Sequence, residues 1–204
     1  MKTKMIPIKA CADVLPGLPA KIAIEHNDDG THQVILAKHL HKSIFYHYTD
    51  EDMLLIKPVR SVGKYLVKKG HILFTSRGSN NQATILGDVP TPSLAPSTFF
   101  IVRAKEKVIR PEYLVWCLRQ PQIQSKIAEI RTGAGTPMVS RIAFMNVLIP
   151  VPPIETQEKI GKLADLMTKE QSILLEIQEA TDRIQYQVGY DLMKSLQRNS
   201  LIKD

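Results

Sequence analysis

Ser76-Arg77-Gly78-Ser79-Asn80-Asn81-Gln82 is the stretch of this chain richest in groups that can do chemistry, and that chemistry is hydrogen bonding rather than bond breaking. An Arg can place two donors on guanine, and Asn or Gln can pair a donor and an acceptor with adenine. The same residues also suit a solvated hairpin turn. A second polar stretch, Arg131-Thr132-Gly133-Ala134-Gly135-Thr136-Pro137, reads as a flexible basic loop. Ser140 follows it as a plausible N-cap for a short helix through Met145.

A third segment, Lys38-His39-Leu40-His41-Lys42-Ser43-Ile44-Phe45-Tyr46-His47-Tyr48, interleaves basic and aromatic residues. It permits three readings. His39 and His41 share one face of a strand, as zinc ligands would, but no Cys or third spaced ligand accompanies them. The segment can be a structurally satisfied, partly buried cluster. It can also touch phosphates or bases, with Lys and His as charged donors and Tyr as a stacking surface.

Motifs for catalysis are missing. There is no Gly-rich phosphate loop and no nucleophile signature at any Ser, Cys or Thr. Pro152-Pro153 is preceded by Val151 and followed by Ile154, so it lacks the flanking residues of an amino-methyltransferase tetrad. No Glu or Asp stands two residues before a Lys, against the common metal-dependent nuclease arrangement. A non-catalytic chain is expected, without metal or cofactor of its own.

The elements that must position these groups follow from patterning. His71 to Thr75 reads as an apolar strand after a turn at Gly70, and Ala83 to Leu86 as its return. Gln33 to Ala37, Leu54 to Val59, Thr98 to Arg103 and Val147 to Ile149 are further strands. Ile6 to Val14 reads as a short strand or turn leading into a few helical residues, stopped by Leu15-Pro16-Gly17-Leu18-Pro19. Pro111 and Pro121 open two helices, the second running through Ile130, with Trp116 in the core. Five or six short strands mixed with short helices predict an α+β domain over residues 1–150.

Ile149-Pro150-Val151-Pro152-Pro153 marks its border, since proline lacks the N–H donor and fixes φ. Beyond it a single long helix is predicted over residues 151–200, about 65 Å long at 1.5 Å per residue. Ile160, Met167, Leu174, Thr181 and Val188 recur every seven residues, with Leu163, Ile177 and Ile184 interleaved, tracing a coiled-coil seam. Glu170 and Asp191 interrupt it, and Gly161 and Gly189 weaken the helix. The other reading is a terminal helix packed wholly on its own domain.

Charge divides along the same border. Residues 1–150 hold 20 Lys and Arg against 11 Asp and Glu, net +9, whereas 151–204 hold 7 against 9, net −2. A basic domain on a near-neutral rod fits a polyanion for the first and protein for the second. Two distant Cys, no apolar leader and no 18-residue apolar run fit a soluble, intracellular protein working in the cytoplasm, with no membrane contact.

Three segments together resemble one family. They are Lys68-Lys69-Gly70-His71-Ile72-Leu73-Phe74-Thr75-Ser76-Arg77-Gly78-Ser79, Ile109-Arg110-Pro111-Glu112-Tyr113-Leu114, and Ile149-Pro150-Val151-Pro152-Pro153-Ile154-Glu155-Thr156-Gln157-Glu158-Lys159-Ile160. They look like a target recognition domain and its following helix from the DNA-specificity subunit of type I restriction–modification systems. Such subunits usually carry two recognition domains and two long helices, so this chain resembles a half-length one. The resemblance implies recognition of double-stranded DNA without chemistry. It also implies docking of a methyltransferase subunit that binds S-adenosylmethionine, and a motor-nuclease subunit for restriction. Two copies paired through their helices, a homodimer, would read a palindromic, bipartite target. The loops it assigns to DNA hold Arg77, Ser79, Asn80, Asn81 and Gln82, then Arg131, Thr132, Thr136, Ser140 and Arg141; Lys38, His39, Arg60 and Lys64 are supporting donors. The competing reading is a truncated remnant that serves only as a protein-interaction module.

Overall fold

The computed structural model describes residues 3–40, 43–78 and 80–200, with side chains through residue 195. Its elements run β1 (Lys4–Pro7), α1 (Ile8–Cys11), β2 (Ala12–Pro16), β3 (His32–Val34), β4 (Phe45–Tyr46), β5 (Leu55–Ile56), β6 (Leu66–Val67), β7 (Ile72–Thr75), β8 (Ala83–Leu86), β9 (Ser93–Leu94) and β10 (Phe99–Ala104). Then follow α2 (Pro111–Arg119), α3 (Pro121–Glu129), β11 (Arg131–Thr132), β12 (Met138–Val139), α4 (Arg141–Asn146), β13 (Leu148–Val151) and α5 (Ile154–Ser200). The chain is α+β and divides into two units, Met1–Asp165 and Leu166–Asp204. The division falls beyond the proline border, inside α5.

The first unit is organised by a five-stranded sheet in the order β2-β10-β7-β8-β4. Its central strands are continuous apolar runs because both faces are covered. Side chains alternate across a strand, so Ile72, Phe74, Phe100 and Val102 enter one core, which also takes Leu114 and Leu118 of α2, Ile123 and Ile127 of α3 and Phe144 of α4. Leu73, Phe99 and Ile101 enter a second core with Ile35, Tyr46 and Leu86. A four-stranded sheet, β5-β3-β9-β6, builds a third around Leu18, Val34, Ile56, Tyr65 and Leu94. Strands of two residues leave little pattern in a sequence, which is why β4, β6, β9, β11 and β12 raise the strand number well above five or six.

Pro150 lies within β13, which among the described residues pairs only with β1. A proline is tolerated there because the strand has a free edge. Trp116 is half-buried, packed at the margin of the first core with its ring 5.6 Å from Tyr113.

The root of α5 is fastened to this unit by Gln157, which is fully buried. Its Oε1 accepts the Arg110 N–H at 2.9 Å, and its Nε2 donates to the carbonyls of Val108 and Pro152 at 3.1 and 2.7 Å. Arg110 also donates through Nε and a terminal nitrogen to Glu158 Oε1, at 3.0 and 2.7 Å. Two sequence expectations change here. Gly161 does not merely weaken the helix: a Cβ there would lie 2.9 Å from Glu112 Cβ, so its bareness is what lets α5 approach α2. Ile160, assigned to the seam, is half-buried against the first core instead.

In the second unit the helix carries Leu166, Met167, Ile173, Leu174, Ile177, Ile184 and Val188 at 53–65% exposure. Leu163, one turn earlier in the first unit, is 58% exposed. Leu166 and Ile173 each precede a seam position by one residue, so the apolar stripe is wider than the narrow seam read from the sequence. No helix among the described residues is long and apolar enough to cross a membrane.

Candidate nucleic-acid interface

The two polar loops singled out from the sequence meet. Residues 131–139 are not a flexible loop but a hairpin, with Arg131 opposite Val139 and Thr132 opposite Met138. The hairpin docks on the chain leaving β7, where Arg77 bridges Met138 in antiparallel fashion. Two backbone bonds flank that bridge, Gly78 N–H to the Pro137 carbonyl at 2.7 Å and Val139 N–H to the Ser76 carbonyl at 2.8 Å. Gly78 and Gly133 hold φ of 89° and 99°, the left-handed region that favours glycine, and so permit the turns. A three-stranded arm results, built on a rigid central strand.

Asn81 holds the arm from beneath. It is 1% exposed, its Nδ2 donates to the Thr75 carbonyl at 2.8 Å, and its Oδ1 accepts from Arg131 Nε at 2.7 Å. Its own carbonyl accepts from Gln124 Nε2 at 2.9 Å. This corrects the expectation that Asn81 reads bases: its amide is consumed within the fold. Arg131 is half-buried on the same inner side and acts as a brace.

Arg77, Asn80, Thr132 and Thr136 are exposed, and Gln82 is partly so. Ser140 caps α4, its Oγ accepting the Ala143 N–H at 3.1 Å as its position predicted. Arg141 folds back to the Val14 carbonyl at 3.2 Å. Ser79 and His41 lie outside the described residues.

Lys38 is exposed, but the neighbouring His39 is 5% exposed and its Nδ1 accepts the Leu36 N–H at 3.2 Å. That corrects its assignment as a surface donor, and favours the structurally satisfied cluster for that residue. Among the described residues no group of His, Cys, Asp or Glu could hold a metal ion. Arg60 and Lys64 lie on the four-stranded-sheet side, where they line a cleft of about 860 Å³ with Lys21 and Lys57. Lys64 Nζ stands 5.0 Å from the Tyr65 ring centre. Among the described residues none of Arg60, Lys64, Arg77, Arg131 or Arg141 is in an ion pair, so their charge is not neutralised by neighbouring carboxylates.

Sequence reasoning missed Met138 and Ile142, which stand 43% and 72% exposed beside the arm. A two-residue strand gives no periodicity from which the outward face of Met138 could be read. Lys21 and Lys57 were missed because their cleft is assembled from segments far apart in sequence.

The chain leaving β7 and the 131–139 hairpin thus form one β arm on an α+β unit, with Arg77 and Thr132 exposed on it. Residues 18–180 match the model of the type I restriction modification DNA specificity domain, and the chain belongs to that family. The family's description is that of a recognising part, not of a catalytic one. The chain is 31% identical over 98 residues to the type I restriction enzyme MjaVIII specificity subunit of Methanocaldococcus jannaschii, an alignment covering 48% of this chain and 22% of that protein. The HsdS subunit of Thermoanaerobacter tengcongensis superposes with a TM-score of 0.60 at 13% identity, over 86% of this chain and 40% of that one. A chain from a structural account of assembly and conformational transition in the type I R-M system gives 0.61 at 13% identity, over 88% and 41%. These two likenesses establish the fold, and the chain spans about 40% of the length of the solved subunits.

Proposed function

We propose that this chain is a half-length specificity subunit that reads one half of a bipartite DNA target and pairs through α5 with a second copy to read a palindromic whole. The observation that carries the reading is the convergence of the Arg77 loop and the 131–139 hairpin into one exposed, basic arm on a rigid sheet. The exposed stripe from Leu163 to Val188 supports pairing, because a face that apolar is stabilised when a second helix covers it. A twofold pair would carry two identical reading arms.

Methylation and cleavage belong, in this reading, to partner subunits that assemble on the helices in the cytoplasm. A methyltransferase would bring S-adenosylmethionine, and a motor-nuclease would join for restriction. The family membership supports these partners.

Titration of duplex DNA at several salt concentrations tests the reading. Binding is expected to weaken steeply with salt, since Lys and Arg displace counterions from phosphates. Arg77→Ala is expected to cost about 1–3 kcal/mol on the preferred site and to relax base preference, whereas Lys64→Ala weakens all sequences alike. Equal loss on preferred and scrambled DNA would remove Arg77 from base readout. A chain that forms complexes with protein partners but binds no DNA would favour the interaction-module reading.

A further inference from the structure

The arm places three exposed side chains in one row. Arg77 and Met138 form a non-hydrogen-bonded antiparallel pair, because the bonds flanking them join Gly78 to Pro137 and Val139 to Ser76. Such pairs bring Cα atoms to about 4.5 Å, closer than the alternative pairing, with both side chains on the same face. Met138 is in turn directly opposite Thr132. Strands sit about 4.8 Å apart, so Arg77, Met138 and Thr132 run across the arm in even steps. Their chain neighbours confirm the orientation, since Ser76 and Val139 are 2% and 1% exposed and therefore point inward. Arg131, opposite Val139, lies on the inner side as well.

A lone exposed methionine on a protein surface needs no explanation. This one is fixed beside the arm's exposed arginine and between two polar side chains, on β12 at the middle of the arm. We propose that Arg77, Met138 and Thr132 form a single base-reading row, in which Arg77 takes a guanine and Met138 covers the 5-methyl group of a thymine in the adjacent base pair. Arg77 and Met138, about 4.5 Å apart at Cα, stand close enough for their side chains to reach adjacent base pairs, whose rise is about 3.4 Å. Thr132 has its Oγ 3.3 Å from the Met138 carbonyl and donates to it, which steadies the strand behind the methionine.

This inference rests on the DNA-reading proposal, and one experiment separates the two. The full chain is used to select duplexes from a random pool, and each thymine of the selected site is then replaced by 2′-deoxyuridine, which removes one methyl group and nothing else. One thymine, in the pair next to a guanine, is expected to respond with roughly a fourfold weakening, the factor that burial of a methyl-sized group supplies. Met138→Ala is expected to weaken binding of the thymine duplex by the same factor and to erase the uridine effect, while Met138→Leu keeps it. Uridine that is neutral at every position, a selected site without a thymine beside a guanine, or a Met138→Ala variant that keeps the full uridine penalty would each overturn the row. If the alanine variant fails to fold, the uridine scan on the native chain decides alone. Failure to select any sequence would instead sink the DNA-reading proposal, and the row with it.

Discussion

Asn81, in the stretch richest in hydrogen-bonding groups, and His71, immediately before β7, are both polar and both buried. Asn81 spends its amide on Thr75 and Arg131, so it sets the arm's position from within the fold. His71 is 9% exposed, and burial, reinforced by Arg103 and Lys68, lowers its pKa from the ordinary 6.5 to about 4. The folded protein therefore binds a proton at His71 less readily than the unfolded chain does. Below pH 6.5 the unfolded state gains protons first, so stability falls as pH drops from about 6.5 towards about 4. Between pH 7.5 and 5 the expected loss is of order 2 kcal/mol, and denaturant midpoints of the native chain and His71→Gln at both pH values measure it. An identical pH slope in the two proteins would show that His71 is not the cause. The donor inventory of these loops was legible in the sequence. Which donors face outward was not, because alternation in a loop is set only when the hairpin pairs with β7.

At the scale of elements, the long apolar strands and the helix starts were legible. Ile72-Leu73-Phe74 and Phe99 to Val102 are unbroken apolar runs because two cores need both their faces, and Pro111, Pro121 and Ser140 stand where α2, α3 and α4 begin. The 131–139 hairpin was not legible, since its strands are too short for a period and its Gly-rich tip mimics a free loop. Nor was the double duty of α5, whose root packs inward through Gln157, Ile160 and Ala164 while its later turns expose their apolar face. Gln157→Ala leaves the Arg110 N–H and two carbonyls without their buried partner, which costs about 2–3 kcal/mol. For a chain of this size that corresponds to a fall in Tm of roughly 5–10 °C. A melting curve unchanged by the substitution would mean that water replaces the glutamine without loss.

At the scale of the whole molecule, the chain spans about 40% of the solved chains it resembles in fold, and the proposed pair would bring two such units together. Placing Asp at both Leu174 and Ile177 is expected to separate that pair, because a buried charge without a partner loses its hydration. The most direct test is to express the chain with a type I methyltransferase subunit and to map methylated adenines on DNA, for the native chain and for the Leu174→Asp, Ile177→Asp variant. The native complex is expected to methylate a symmetric sequence interrupted by an unread spacer, and the variant to lose that methylation together with the dimer mass in sedimentation. Methylation of an asymmetric site, or symmetric methylation retained by the variant, would contradict the half-subunit account.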